Sequence, residues 1–176
     1  MKPILTPTET SDADLLVNIR IAAMRESLER IGRFDPQRAR ERFLASFDPM
    51  LCHFIEVDAV RVGFCVVRPL PDLLHLDHLY LLPEYQAKGI GGAVMTLITV
   101  EADAKKLPIR LGALRGSKAN SFYQRHGFEQ VDEAEWDIYY IRQPRPGAER
   151  IGLRPDRDRQ PGQRHTLRPR RPGLQP

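Results

Sequence analysis

The sequence predicts one mixed α/β domain, and three observations support that expectation. The chain has 176 residues, enough for a single domain with a sizeable core. Short apolar runs of strand length alternate with stretches of helical spacing. Their order begins with an antiparallel hairpin and continues in strand–helix–strand units, so the sheet must hold both kinds of pairing.

Element by element, a short apolar start precedes TETSDADLLVNIRIAAMRESLERIG, which has helix punctuation. Thr10 or Ser11 can cap it, acids crowd its first turn, and Gly32 lies just past its end. Leu15, Ile19, Ala22 and Ala23 recur at helical spacing. DPQRARERFLASF gives a second, shorter helix with Asp35 as cap and Pro36 at the first helical position. CHFIEV and VGFCVV, separated by DAVR, read as an antiparallel hairpin. The near-continuous apolar character of LLHLDHLYLL suits a strand buried on both faces. A helix is expected from near Gly89 to about Lys106, and a strand, IRLGAL, after Pro108. SKANSFYQRH reads as a helix capped by Ser117 and closed by Gly127, and FEQV and WDIYYIR as two closing strands. There is no internal repeat.

Charge divides the chain in two. Of 27 basic and 23 acidic residues, nine arginines and three acids lie between Gln143 and Pro176. Residues 1–142 therefore hold 18 basic and 20 acidic residues, a balance of −2 against +6 for the tail. That tail has seven prolines, four glycines and no aromatic residue, so it cannot bury enough apolar surface to order itself. The expected organisation is a folded domain over 1–142 and a disordered Pro/Arg-rich tail over 143–176. Without interleaved aromatics for base stacking, the tail is a poor nucleic-acid arm. No stretch is long and apolar enough to span a membrane, and MKPILTPTET lacks the order of a signal peptide. Cys52 and Cys65 form no disulfide framework and no metal-ligand spacing, so reduced thiols, a cytoplasmic location and no metal are expected.

PEYQAKGIGG raises the functional question, because glycine costs about 1 kcal/mol against alanine inside a helix. A helix N-terminus offers orphan N–H groups and a positive dipole end to phosphate, and glycines let oxygens reach that backbone. The spacing is neither the phosphate loop of ATPases nor the dinucleotide fingerprint, since Val94 stands where a further glycine would be required.

LDHLYLLPEYQAKGIGGAVM does resemble the acetyl-CoA-binding motif of the GCN5-related N-acetyltransferases (GNAT), Gln/Arg-x-x-Gly-x-Gly/Ala. Downstream, SKANSFYQRHGFEQV resembles the closing motif of the same superfamily. The two motifs cover about 76–131, and the element order extends the likeness to 1–142. The resemblance implies a single-domain GNAT fold, in which a mixed central sheet has splayed middle strands and is flanked by helices. Its implied activity is N-acetylation of a primary amine, on a small molecule or a protein, by direct attack on acetyl-CoA.

Residue by residue, the resemblance implies that Gln86, Ala87, Lys88, Gly89, Ile90 and Gly91 wrap the cofactor's pyrophosphate, with Gly92 beside them. Leu79, Tyr80 and Leu81 would splay from the next strand and accept the pantetheine arm on their freed edge. The Leu81 N–H would polarise the thioester carbonyl. Tyr123 matches the general acid that protonates the leaving thiolate. The place of a cofactor-binding asparagine falls on Gly116, a departure, leaving Asn120 to contact the cofactor from the helix start. Strand periodicity puts His75, Asp77, Leu79 and Leu81 on one face and Leu76, His78 and Tyr80 on the other. Asp77 is the first candidate for general base and His75 the second. Substrate selection would fall to the first helix pair, with Arg20 and Met24 as candidate contacts. Homodimers are an assembly found among relatives. The competing reading is a non-catalytic acyl-CoA-binding or sensing module, which would need neither Asp77 nor Tyr123.

Overall fold

The computed structural model describes residues 1–147. Its elements in chain order are β1 (Ile4–Pro7), α1 (Ala13–Arg30), α2 (Pro36–Ser46), β2 (Cys52–Val57), β3 (Val60–Pro69) and β4 (Leu74–Leu81). There follow α3 (Ile90–Lys105), β5 (Ile109–Leu114), α4 (Lys118–Arg125), β6 (Glu129–Glu133) and β7 (Asp137–Arg142). Of the tail expected from Gln143, all beyond 147 lies outside the described residues.

The strands form one seven-stranded sheet in the order β1-β2-β3-β4-β5-β7-β6. Every pairing is antiparallel except β4 with β5. That parallel pair is joined only at Leu74↔Ile109 and His75↔Arg110. Beyond His75 the two strands part, and the sheet opens into a V.

The start of the chain departs from expectation. The apolar start is a strand, β1, paired along β2 from Ile4↔Glu56 to Pro7↔His53. Neither Thr10 nor Ser11 caps α1; a 3-10 turn over Thr10–Asp12 precedes it, and the Glu9 N–H donates to the Asp12 carboxylate at 2.8 Å. Leu15 is exposed, and α1 buries Leu16, Val17 and Ile19 instead. The Asp35 cap does form, accepting from the Arg38 N–H at 3.0 Å. Ser117 holds the N-cap position of α4 but makes no side-chain cap bond.

Two cores sandwich the sheet. On one face Leu16, Val17 and Ile19 of α1 and Phe43 of α2 pack on Cys52, Phe54, Phe64 and Val66. On the other, Ile90, Val94, Met95, Ile98 and Ala102 of α3 and Tyr123 of α4 pack on alternate residues of β2–β5 and on Tyr140. The hairpin alternation divides β2 between these cores, Phe54 to the first and Ile55 to the second. Cys52 and Cys65 are buried, unpaired thiols, and burial pushes them up to about 11 and about 12.

β4 is neither buried on both faces nor regularly alternating. Only Leu74 and Leu76 are buried, and the residues beyond stay partly exposed because the splay leaves them without a neighbour on one side. Its ladder with β3 shifts between Val66↔His78 and Val67↔Leu76, so Asp77 is an extra residue, a bulge. The shift overturns the expected faces. Leu76 joins Leu79 and Leu81 on the α3 side, while His78 and Tyr80 turn to the aromatics under α1 and α2.

Gly63 lets the end of β4 lean onto β3. A Cβ there would stand 2.1 Å from the Tyr80 carbonyl oxygen and 2.9 Å from the Leu81 side chain. At the far end of the sheet, Arg142 is buried and grips Asp103 of α3 through two hydrogen bonds of 2.8 and 3.0 Å. This clamp fixes the C-terminal end of α3 against β7.

Candidate active site

Both helices that follow the splayed strands begin at the open end of the V. The loop from β4 into α3 runs exposed from Gln86 to Gly89. Ala87 and Gly89 adopt left-handed backbone at φ 58° and 82°, with Lys88 between them, and such alternation turns successive amides to one side. The first intrahelical donor of α3 is Ala93, bonding Gly89 at 3.1 Å, so the amides of Ile90, Gly91 and Gly92 have no acceptor within the helix. These amides, with the dipole of a sixteen-residue helix behind them, form a cradle suited to phosphate.

The three glycines do different jobs. A Cβ on Gly89 would meet nothing within 4 Å, so its role is conformational. A Cβ on Gly91 would stand 3.4 Å from the Phe122 ring, and one on Gly92 3.4 Å from His126, so both let α4 approach α3. Ile90 buries its side chain completely and can offer only its backbone. Lys88 lies over the Tyr85 ring at 5.8 Å, on the rim of the cradle.

Gln86 is a brace rather than part of the cradle. Its backbone N–H donates to Pro83 at 3.2 Å, and its side-chain amide donates to the Leu81 carbonyl at 2.9 Å. The Leu82 N–H donates back to Val62 on β3 at 2.9 Å, so by ladder alternation the main-chain groups of Leu79 and Leu81 point away from β3, into the V. With its carbonyl taken by Gln86, Leu81 presents its N–H there.

Asn120 does not offer its amide to a ligand. Its Nδ2 donates to the carbonyls of Leu114 and Ser117 at 2.8 and 3.0 Å, and its Oδ1 accepts from the Tyr140 hydroxyl at 2.8 Å. The expected cofactor contact is thus replaced by a strut that ties the start of α4 to β5 and β7. Tyr123, three residues on, is 8% exposed and packs against Phe122, Phe128 and Tyr140. Burial pushes its phenol well above the ordinary value, and nearby Tyr80 adds to the effect, so it holds its proton at any physiological pH.

On the other face of β4 the bulge gathers a polar group among aromatics. Asp77 accepts from Arg68 Nε at 2.8 Å, and Arg68 also donates to the Ser46 carbonyl at the end of α2, at 2.6 Å. Burial pushes the Asp77 carboxyl up, but the Arg68 hydrogen bond and surrounding positive charge outweigh it and hold the group below the ordinary carboxylate value. His78 Nδ1 lies 3.2 Å from the Tyr80 hydroxyl, and its Nε2 lies 3.7 Å from Asp77. Burial against Phe43 and Phe64 pulls the imidazole down to about 4, so it is neutral at neutral pH. Burial raises the Tyr80 phenol, with the Arg20 guanidinium beside it pulling the other way. Arg20 donates to the Ala39 carbonyl at 2.8 Å, tying α1 to α2, and half-buried Met24 follows one turn on. His75 sits at the vertex of the V, in the last register pair with β5.

The structure therefore brings Tyr80, Asp77 and Arg20 together and separates them from the glycine cradle. His78 and Arg68 were missed in the sequence because strict alternation puts Asp77 on the face opposite His78 and Tyr80. No pattern of residue types marks the bulge that corrects it.

At the end of β5 furthest from the vertex, the last turn of α1 meets the loop into α4. Ser27, Arg30, Ile31 and the residues from Leu114 to Ser117 line a small cleft there. Across the same region Arg33 stacks on Trp136 at 4.5 Å.

Residues 49–130 match the family model described as an acetyltransferase (GNAT) domain. Over those residues the chain carries a match to a GNAT acetyltransferase domain, and its fold is that of solved GNAT structures. Solved structures share the fold at low identity. The PaiA N-acetyltransferase from Thermoplasma acidophilum, in complex with coenzyme A, is 19% identical with a TM-score of 0.63, covering 81% of this chain and 99% of that one. The ribosomal-protein-S18-alanine N-acetyltransferase from Escherichia coli is 15% identical with a TM-score of 0.60, over 85% and 98%. A GNAT family acetyltransferase from Elizabethkingia anophelis with acetyl-CoA bound is 15% identical with a TM-score of 0.56, over 81% and 98%. No curated protein matches the chain.

Proposed function

We propose that this protein transfers the acetyl group of acetyl-CoA to a primary amine by direct attack in a ternary complex. The observation that supports it most strongly is the V itself: a freed β4 edge leads straight into an exposed cradle of unpaired amides. Acetyl-CoA, when bound, supplies an activated acyl carbon and a thiolate leaving group.

The residues of the chain then divide the work. The amides from Ala87 to Gly92 and the α3 dipole bind the pyrophosphate. The main-chain groups of Leu79 and Leu81 hold the pantetheine arm as an added strand, and the Leu81 N–H donates to the thioester oxygen as negative charge develops. Tyr123 keeps its proton until the thiolate needs it. On the acceptor side, the amine N–H gives its proton to Tyr80 while the Tyr80 proton passes to His78 Nδ1. Asp77, anchored by Arg68, stabilises the imidazolium that forms. Asp77 thus serves as the charged end of the relay, held in place by Arg68. His75, at the vertex of the V, has no part in this relay.

Two measurements test the reading on the full chain: calorimetric titration with acetyl-CoA, and release of CoA thiol against a panel of amines. Binding together with thiol release supports it. Binding without release on any amine favours a cofactor-sensing module, and no binding at all overturns it.

A further inference from the structure

The polar group beneath α1 and α2 is not electrically balanced. Asp77 is paired with Arg68, and both His78 and Tyr80 are neutral at neutral pH. Arg20 remains as a half-buried guanidinium that donates to a backbone carbonyl and has no carboxylate partner among the described residues. The other arginines near the cleft are engaged: Arg25 with Glu29, Arg30 with Glu26, Arg115 with Glu133, and Arg33 on the Trp136 ring. Asp137, at the start of β7, is the remaining acid whose charge reaches Tyr80, and it forms no ion pair with Arg20.

A buried charge without a counter-ion is costly unless something supplies the opposite charge. Arg20 lies beside Tyr80, on the face of the V opposite the pyrophosphate cradle, where the acceptor amine must approach. Its planar fork suits a carboxylate, which it can hold through two parallel hydrogen bonds while one nitrogen stays on Ala39. We propose that the acceptor is a small primary amine that itself carries a carboxylate, and that Arg20 binds this carboxylate so that the amino group points at Tyr80 and the acyl carbon. The selection rests on the acetyltransferase reading and gives it a substrate class: amino-acid-like acceptors in place of polyamines.

The test uses matched acceptor pairs, each an amino acid and its carboxamide, with a polyamine as the cationic comparison, followed by CoA-thiol release. For wild type, kcat/KM for the acid should exceed that for its amide by roughly tenfold to a hundredfold, the range expected when a charged hydrogen-bonded pair is lost. Arg20→Gln should bring that ratio close to one, mainly through KM for the acid, and Arg20→Lys should restore part of it. Acetyl-CoA affinity and thermal unfolding, measured alongside, separate this from a general loss through the Ala39 hydrogen bond. Wild-type preference for amides or the polyamine, or equal losses on both members of each pair in Arg20→Gln, overturns the inference while leaving the transferase reading intact. No thiol release from any acceptor removes both.

Discussion

The two sides of β4 offer a ligand different means of recognition. On the α3 side the chain uses backbone: a left-handed loop, unpaired amides and a helix dipole. On the α1–α2 side it uses side chains brought together from α1, β3 and β4. Backbone recognition constrains residue type, because only a residue without Cβ takes φ 82° at Gly89 without strain, and that constraint is written as a motif. Side-chain recognition depends on where a bulge falls, which leaves no motif.

The substitution that should break both sides at once is Gly63→Ala. A Cβ 2.1 Å from the Tyr80 carbonyl must push β4 off β3, costing more than about 3 kcal/mol. Chemical denaturation should show that loss, and a stability within 1 kcal/mol of wild type would mean that β4 does not lean as described. Tyr123→Phe confines damage to the leaving group. It should lower kcat by about a hundredfold or more with acetyl-CoA affinity kept, and an unchanged kcat would remove the acid role.

His78 allows the acceptor side to be read through pH. Its folded value of about 4 lies below the ordinary 6.5, so between these values the unfolded chain takes up a proton that the folded one refuses. Stability should therefore fall as pH drops from about 6.5 to about 4, and His78→Gln should flatten that slope by about 2 kcal/mol. Parallel slopes for the two proteins would show that the imidazole is not held neutral.

Gly89→Ala tests the cradle more gently. Strain at a positive φ costs about 1 kcal/mol, enough for roughly fivefold weaker acetyl-CoA binding, with the acid-over-amide preference of the acceptor side untouched. The smallest effect is expected from ending the chain after Gly147, which keeps the Arg145 N–H bond to Asp103. Acetyl-CoA affinity should stay within about twofold, well under 1 kcal/mol, and a larger loss would give the tail a part in binding.

Much of the fold was legible for local reasons. Asp35-Pro36 announces α2, and the spacing of CHFIEV and VGFCVV announces the hairpin, whose turn closes through left-handed Asp58 and Ala59. β1 was not legible, because four residues pair only by virtue of a partner about fifty positions away. Asn120 and Gln86 carry polar side chains in motif positions, yet each meets a carbonyl that only the folded chain brings near.

The sequence by itself determined the α/β class and the glycine-rich start of α3. Its means were local: conformational freedom at single residues and hydrophobic period along short runs. Only the tertiary structure decided the arrangement on the α1–α2 side. One extra residue at Asp77 reverses which side chains face α1, and the half-buried charge of Arg20 has meaning only once its neighbours are known to be paired or neutral.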